Sequence, residues 1–327
     1  MQHKGKIAAA VAFIFLFFYL IAVYWSIEPD IFNVQERAEN AAKQEQQQVV
    51  TGYVTTTAVI EVASTLLNKP GGYLTNDVMP PSVMMDNMPS WEFGVLEMTR
   101  DITLAMRKDF SRSQSQSTEH PELKAAQPQF NINSTAWILP SAEDEYQKGV
   151  DALIRYRKDI ANPVDSSAQF YARADNLRAY LKEVEKRLGS LSMRLSSSVG
   201  QDKINTDLAG DTAARRASYA PSHQLVKTPW LEIDNVLYEA RGASWALLHF
   251  FAAIETDFAD VLEKKNARVS VKQIMRELEA TQETVWSPMV LNGSGFGFVA
   301  NHSLVMANYL SRANAAIIEL SELLSQG

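Results

Sequence analysis

The chain contains no cysteine. That excludes disulfides, thiol nucleophiles and thiolate metal sites, so it can be neither a disulfide-stapled domain nor a cysteine enzyme. Histidine is scarce, with five in 327 residues, and none falls in an HExxH pattern. His249 lies in the apolar stretch Trp245–Phe251, where a satisfied core histidine is expected rather than a ligand. His120, His223 and His302 fall in predicted loops or at a helix start. No Gly-x-Ser-x-Gly elbow occurs. The glycine-rich segment Asn292–Phe298 lacks the Lys-Ser/Thr ending of a P-loop, and no strand leads into it, so it reads as a tight connection between helices. Nothing calls for a cofactor or a metal. Positive charge is in deficit: the net charge is −7, and because Lys4 and Lys6 account for +2, the rest of the chain stands at −9. Such a surface argues against nucleic-acid partners and against a polybasic lipid-binding role.

Long apolar runs are missing as well, with one exception. Ile7 to Trp25, IAAAVAFIFLFFYLIAVYW, is nineteen residues without a charge. At 1.5 Å per residue it spans roughly 28 Å, close to the hydrocarbon thickness of a bilayer. His3, Lys4 and Lys6 precede it, and Glu28 and Asp30 are the first charges after it. That asymmetry predicts a cytoplasmic N-terminus with the remaining residues across the membrane. Tyr19, Tyr24 and Trp25 suit the interfacial belts. A cleaved signal peptide would end in small residues, whereas Tyr24 and Trp25 occupy that exit, so an uncleaved anchor is expected.

Beyond the anchor the periodicity is helical. Ser166 and Gln169 match a capping box, and from Phe170 through Ala174, Leu177, Leu181, Val184, Leu188, Leu191 and Leu195 the apolar residues recur at alternating steps of four and three. A second helix is predicted to open at Thr228-Pro229, with the same rhythm at Ile233, Leu237, Ala240, Ser244, Leu247, Phe251, Ile254, Phe258 and Val261. Trp245, Leu248 and Phe250 widen its apolar surface, which predicts a central position. Ser270 and Gln273 read as the cap of a shorter helix before Pro288, and a last helix from about Asn301 carries Met306, Leu310, Ala313, Ile317, Leu320 and Leu324. The fold class is therefore all-α: a single N-terminal transmembrane helix followed by a periplasmic bundle of long antiparallel helices with irregular loops. Pairing of the same stripes in a homo-oligomer is the alternative.

Nearer the anchor the pattern is weaker. Residues 35–67 read as helix with a break near Gly52, the first half polar enough to be a solvated stalk. Residues 68–90 contain Pro70, Gly71, Gly72, Pro80, Pro81 and Pro89 and cannot be regular structure. A helix from Ser90 to about Phe110 would turn Trp91, Val95, Met98, Ile102 and Ala105 inward. Residues 111–135 read as an exposed loop and 141–161 as helix. The expected layout is a cytoplasmic tail (1–6), an anchor (7–27), a stalk and first helix (28–67), a loop-rich region with one helix (68–135) and the main bundle (136–327).

Long loops are usually functional or disordered, and 68–90 is too apolar for disorder. It is either a binding surface over the bundle end, through Tyr73, Asp77, Asp86, Trp91 and Phe93, or a packing plug. Met79, Met84, Met85 and Met88 could ligate a soft ion, but gap filling explains methionine at irregular spacing better. Glu92, Glu97 and Asp101 are the densest carboxylates beside the loop and the candidates for paired acid–base hydrolysis of cell-wall glycan. A solvated helix face is the competing account.

The segment from Lys69, KPGGYLTNDVMPPSVMMDNMPSWEFG, resembles an uncharacterised proteobacterial family of inner-membrane proteins, catalogued as a domain of unknown function. The resemblance extends over most of the chain, anchor and NGSGFGF segment included. It implies a Gram-negative envelope protein and carries over no catalytic residue. The function expected from the whole is non-enzymatic: anchorage in the lipid bilayer through residues 7–25 and a helical domain that scaffolds or binds an envelope protein partner.

Overall fold

A computed structural model describes residues 2–113, 118–164, 168–204, 223–287 and 289–326. The first helix, α1 (Gln2–Trp25), is long and apolar enough to cross a membrane and lies outside the core. After it come α2 (Val34–Glu45), α3 (Tyr53–Asn68), α4 (Asn87–Ala105, continued by a π turn to Phe110), α5 (Pro121–Phe130), α6 (Ala142–Ala161) and α7 (Ala174–Ser196). A two-stranded antiparallel ribbon, β1 (Gln201–Ile204) and β2 (His223–Val226), precedes α8 (Ile233–Asp257), α9 (Ala259–Lys264), α10 (Arg268–Ala280) and α11 (His302–Ser325).

The apolar stripes decide the packing. Leu177 to Leu195 on α7, Ile233 to Phe258 on α8 and Met306 to Leu324 on α11 are buried within the one chain. Arg194 near the end of α7 meets Glu239 near the start of α8, and Ser192 of α7 reaches Ala307 and Ser311 of α11. Both pairs are therefore antiparallel. α8 is buried on nearly every face and packs against α3, α4, α7, α10 and α11.

α4 and α8 differ in two respects: they run in the same direction and their backbones touch. Trp91 lies 5.2 Å from Trp245 at one end and Phe110 lies 5.3 Å from Phe258 at the other. Between them a β-carbon on Gly94 would stand 2.0 Å from the Glu239 carbonyl, and one on Gly242 would stand 2.0 Å from that of Trp91. Only glycine fits at either position.

Several expected boundaries shift, each for a local reason. Ser166 lies outside the described residues; α7 starts at Ala174, and Phe170 instead packs on Phe110 and Phe258. Thr228 does not cap α8, because its N–H donates to Ser197 and its hydroxyl to Arg194; a 3-10 turn at Trp230–Glu232 leads in instead. α10 begins at Arg268, which places Ser270 inside its first turn. The region expected as an open loop contains α5, with Pro121 in its first turn and Leu123, Ala126 and Phe130 buried against α6. The segment expected as a solvated stalk is α2, whose Val34, Ala38 and Ala42 are buried against α3 and α8. It lies on the bundle.

Candidate functional site

The loop after α3 folds around one carboxylate. Lys69 Nζ lies 2.6 Å from Glu92 Oε1 and also donates to the Gly72 carbonyl at 2.7 Å. Glu92 further accepts the Leu74 N–H at 2.9 Å, the Thr75 N–H at 2.9 Å and the Thr75 hydroxyl at 2.5 Å. Both ionic side chains are fully buried. Burial pushes the Glu92 carboxyl up, and Lys69 opposes that shift. A buried ion pair persists only when hydrogen bonds meet most of its remaining capacity, and here Glu92 has three donors besides Lys69, which itself also reaches Gly72. Glu92 pins the loop to α4 and has no face left for a substrate.

Tyr73 and Trp91 are core residues rather than surface contacts. Tyr73 sits edge-on to Tyr146 at 5.4 Å and donates to the Ser134 carbonyl. Trp91 packs on Trp245. Asp77 and Asp86 are exposed on the loop. Of the loop methionines, Met88 fills core space and Met85 is half-buried, while Met79 and Met84 face outward.

Glu97 and Asp101 are brought together, by arginine. Arg187 of α7 grips Asp101 with two nitrogens at 2.7 and 3.1 Å and Glu97 with a third at 2.7 Å. Arg100 holds the other Glu97 oxygen at 2.6 Å while donating to the carbonyls of Phe130 and Ile132. Burial raises the Asp101 carboxyl, and the bond from Arg187 pulls it back. Beside this ladder, Arg194 is bidentate to Glu239, both contacts at 2.6 Å, and Lys186 pairs with Glu183. Glu97, Glu183, Lys186, Arg187, Arg194 and Glu239 line a groove of about 380 Å³ between α4, α7 and α8, with half-buried Phe93 in its wall. Arg187, Arg194 and Glu239 escape sequence reading because partners on different helices leave no spacing signature.

The chain leaving α1 forms a strap along α8. Glu28 accepts from Arg241 at 2.7 and 2.9 Å, and Arg241 also holds the carbonyls of Thr281 and Glu283. Further along, the Phe32 N–H donates to His249 Nε2 at 3.1 Å and the Phe32 ring stacks on the imidazole at 3.9 Å. His249 Nδ1 lies 2.7 Å from the Trp245 carbonyl, which fixes the neutral Nδ1–H tautomer. Burial holds its pKa down to about 4. Trp25 itself lies so close over Gly71 that a β-carbon there would be 2.7 Å from its ring.

No curated protein and no solved structure matches the chain. A family match does, and it covers residues 1–327 in full. The chain belongs to the family described as an uncharacterized protein conserved in bacteria, DUF2333.

Proposed function

We propose that this chain is a single-pass scaffold of the bacterial inner membrane, with its N-terminus in the cytoplasm and its helical bundle in the periplasm, where it binds another envelope protein and performs no chemistry. The observation that carries this reading is that each candidate acid is committed within the chain. Glu92 is sealed against Lys69, and Glu97 and Asp101 are clamped by Arg100 and Arg187. Glycan hydrolysis needs one carboxylic acid able to give up a proton and a second carboxylate free to act beside it. Here the oxygens of all three are spent on arginine or lysine of the same chain.

The groove between α4, α7 and α8 is the binding surface in this reading. It offers fixed charges of both signs around Phe93, a pattern that selects partners by complementarity more than by area. The test replaces Phe93 with a photo-crosslinking amino acid in the full-length protein in native membranes. Recovery of one specific heterologous partner, absent when the crosslinker replaces Val269, is expected. Adducts only between copies of this chain, or none across repeated trials, would contradict the proposal.

A further inference from the structure

Exposed apolar side chains beyond α1 are not spread evenly over the bundle. Among the described residues every exposed aromatic ring outside α1 lies at the end where the chain leaves Trp25. Trp230 stands at the start of α8, and Trp286, Phe296 and Phe298 stand on the connection between α10 and α11. Trp137 follows Ala136, whose carbonyl accepts from Asn76 in the Trp25-side loop, and Met84 lies in that same loop. Trp286 is 92% exposed, and Phe296 and Phe298 are wholly exposed. These two ride a turn closed by the Gly293 N–H on the Ala300 carbonyl and by Asn292 with Asn301. The opposite end, around Phe110 and Phe258, exposes valines such as Val269 and, among the described residues, no ring.

Three Cα steps separate Trp25 from Glu28, a reach of at most about 11 Å, and Glu28 is fastened to Arg241 on α8. With α1 across a bilayer, the ring-bearing end is therefore held at the headgroup layer with no linker to lift it away. Tryptophan is suited to that layer because its ring meets hydrocarbon while its N–H meets water, and phenylalanine adds apolar area that can enter the acyl boundary.

We infer that the Trp25 end of the bundle is a second membrane contact: its exposed rings, Trp230, Trp286, Phe296 and Phe298 above all, seat in the bilayer interface around α1. This rests on the reading that α1 spans the membrane. The exposed charges at this end include Asp77, Asp86, Glu232 and Glu283 against Lys227. Attachment is therefore apolar insertion, independent of anionic lipid and of salt. Seating of this kind fixes the tilt of the bundle.

The absence of cysteine makes the test direct, since one substitution supplies the only thiol. Full-length Trp230→Cys, Trp286→Cys, Phe296→Cys, Phe15→Cys (within α1) and Val269→Cys are spin-labelled and reconstituted in phosphatidylcholine vesicles. Collision with oxygen is compared with collision with a water-soluble nickel complex, at low and high salt. Positions 230, 286 and 296 are expected to favour oxygen, as position 15 does, while 269 favours nickel. Nickel-favouring labels at all three, with position 15 still favouring oxygen, would overturn the proposal and leave the anchor standing. A label at 15 that favours nickel would remove the anchor and the proposal together. Exclusion of both reagents at 286 and 296 would mean a second copy covers them, and oxygen preference only after phosphatidylglycerol is added would mean charge drives the contact. Either result would overturn it.

Discussion

Glu28 and Arg241 form the joint between α1 and the bundle, a two-nitrogen grip at 2.7 and 2.9 Å made three residues after Trp25. Arg241 does more than neutralise Glu28, because it also closes the carbonyls that end α10, those of Thr281 and Glu283. The two partners should therefore not be equivalent on mutation. Arg241→Ala strands a carboxylate and two carbonyls and is expected to cost about 3 kcal/mol. Glu28→Ala leaves the arginine its carbonyl partners and is expected to cost about 1 kcal/mol. Chemical denaturation of the full chain in detergent measures both, and equal losses would contradict the asymmetry.

The backbone contact at Gly94 and Gly242 makes a second prediction. Alanine at either position drives a β-carbon into a carbonyl, and neither backbone can retreat without separating α4 from α8. Each substitution is expected to cost about 3 kcal/mol, at the upper end of overpacking effects. Gly189 on α7 is the internal control, since the nearest atom to its β-carbon position is an ordinary 3.6 Å away. Gly189→Ala is expected to gain roughly 0.5–1 kcal/mol from helix propensity. Thermal unfolding should move in opposite directions for the two classes.

His249 sets a pH dependence. Its folded pKa is depressed to about 4 from an ordinary 6.5, so the folded state prefers the neutral ring. The stability it contributes is fully present above pH 6.5 and declines as pH falls, because the unfolded chain takes up the proton first. The loss ends near pH 4, below which this group adds no further slope. The total is about 3 kcal/mol at 1.36 kcal/mol per unit. His249→Asn should flatten the unfolding free energy between pH 6.5 and 4 relative to the parent chain. An unchanged slope would show that the ring is not buried neutral against Phe32.

Lys69 and Glu92 should behave as a unit. Glu92→Gln leaves a buried ammonium without its counter-charge and is expected to cost about 3–5 kcal/mol. Lys69→Met with Glu92→Leu removes both charges and should recover much of that loss, although the Leu74 and Thr75 donors remain unmet. A double variant no better than the single would show that the pair is not mutually dependent.

The long helices were legible because their cores are built from large aliphatics at 3.5-residue spacing, and such a stripe has few other uses. α5 was not, since only Leu123, Ala126 and Phe130 mark it within a polar stretch. α2 was misread for a related reason: Ala38 and Ala42 bury little area each, and the glutamines around them dominate the composition. Of the loop candidates, Tyr73 and Trp91 look the same from sequence whether they bind or pack; their partners, Tyr146 and Trp245, are distant in the chain. The Arg187 ladder is invisible for the same reason. A seven-residue repeat reports where a helix is buried, never which charge on another helix will face it.

The proposed role requires the bundle to lie on the far side of a bilayer from the N-terminus. Fusions after the last residue test that most directly, with alkaline phosphatase, active only outside the cytoplasm, and a fluorescent protein, bright only within it. An active phosphatase and a dark fluorescent fusion are expected, and the reverse pair would contradict the account.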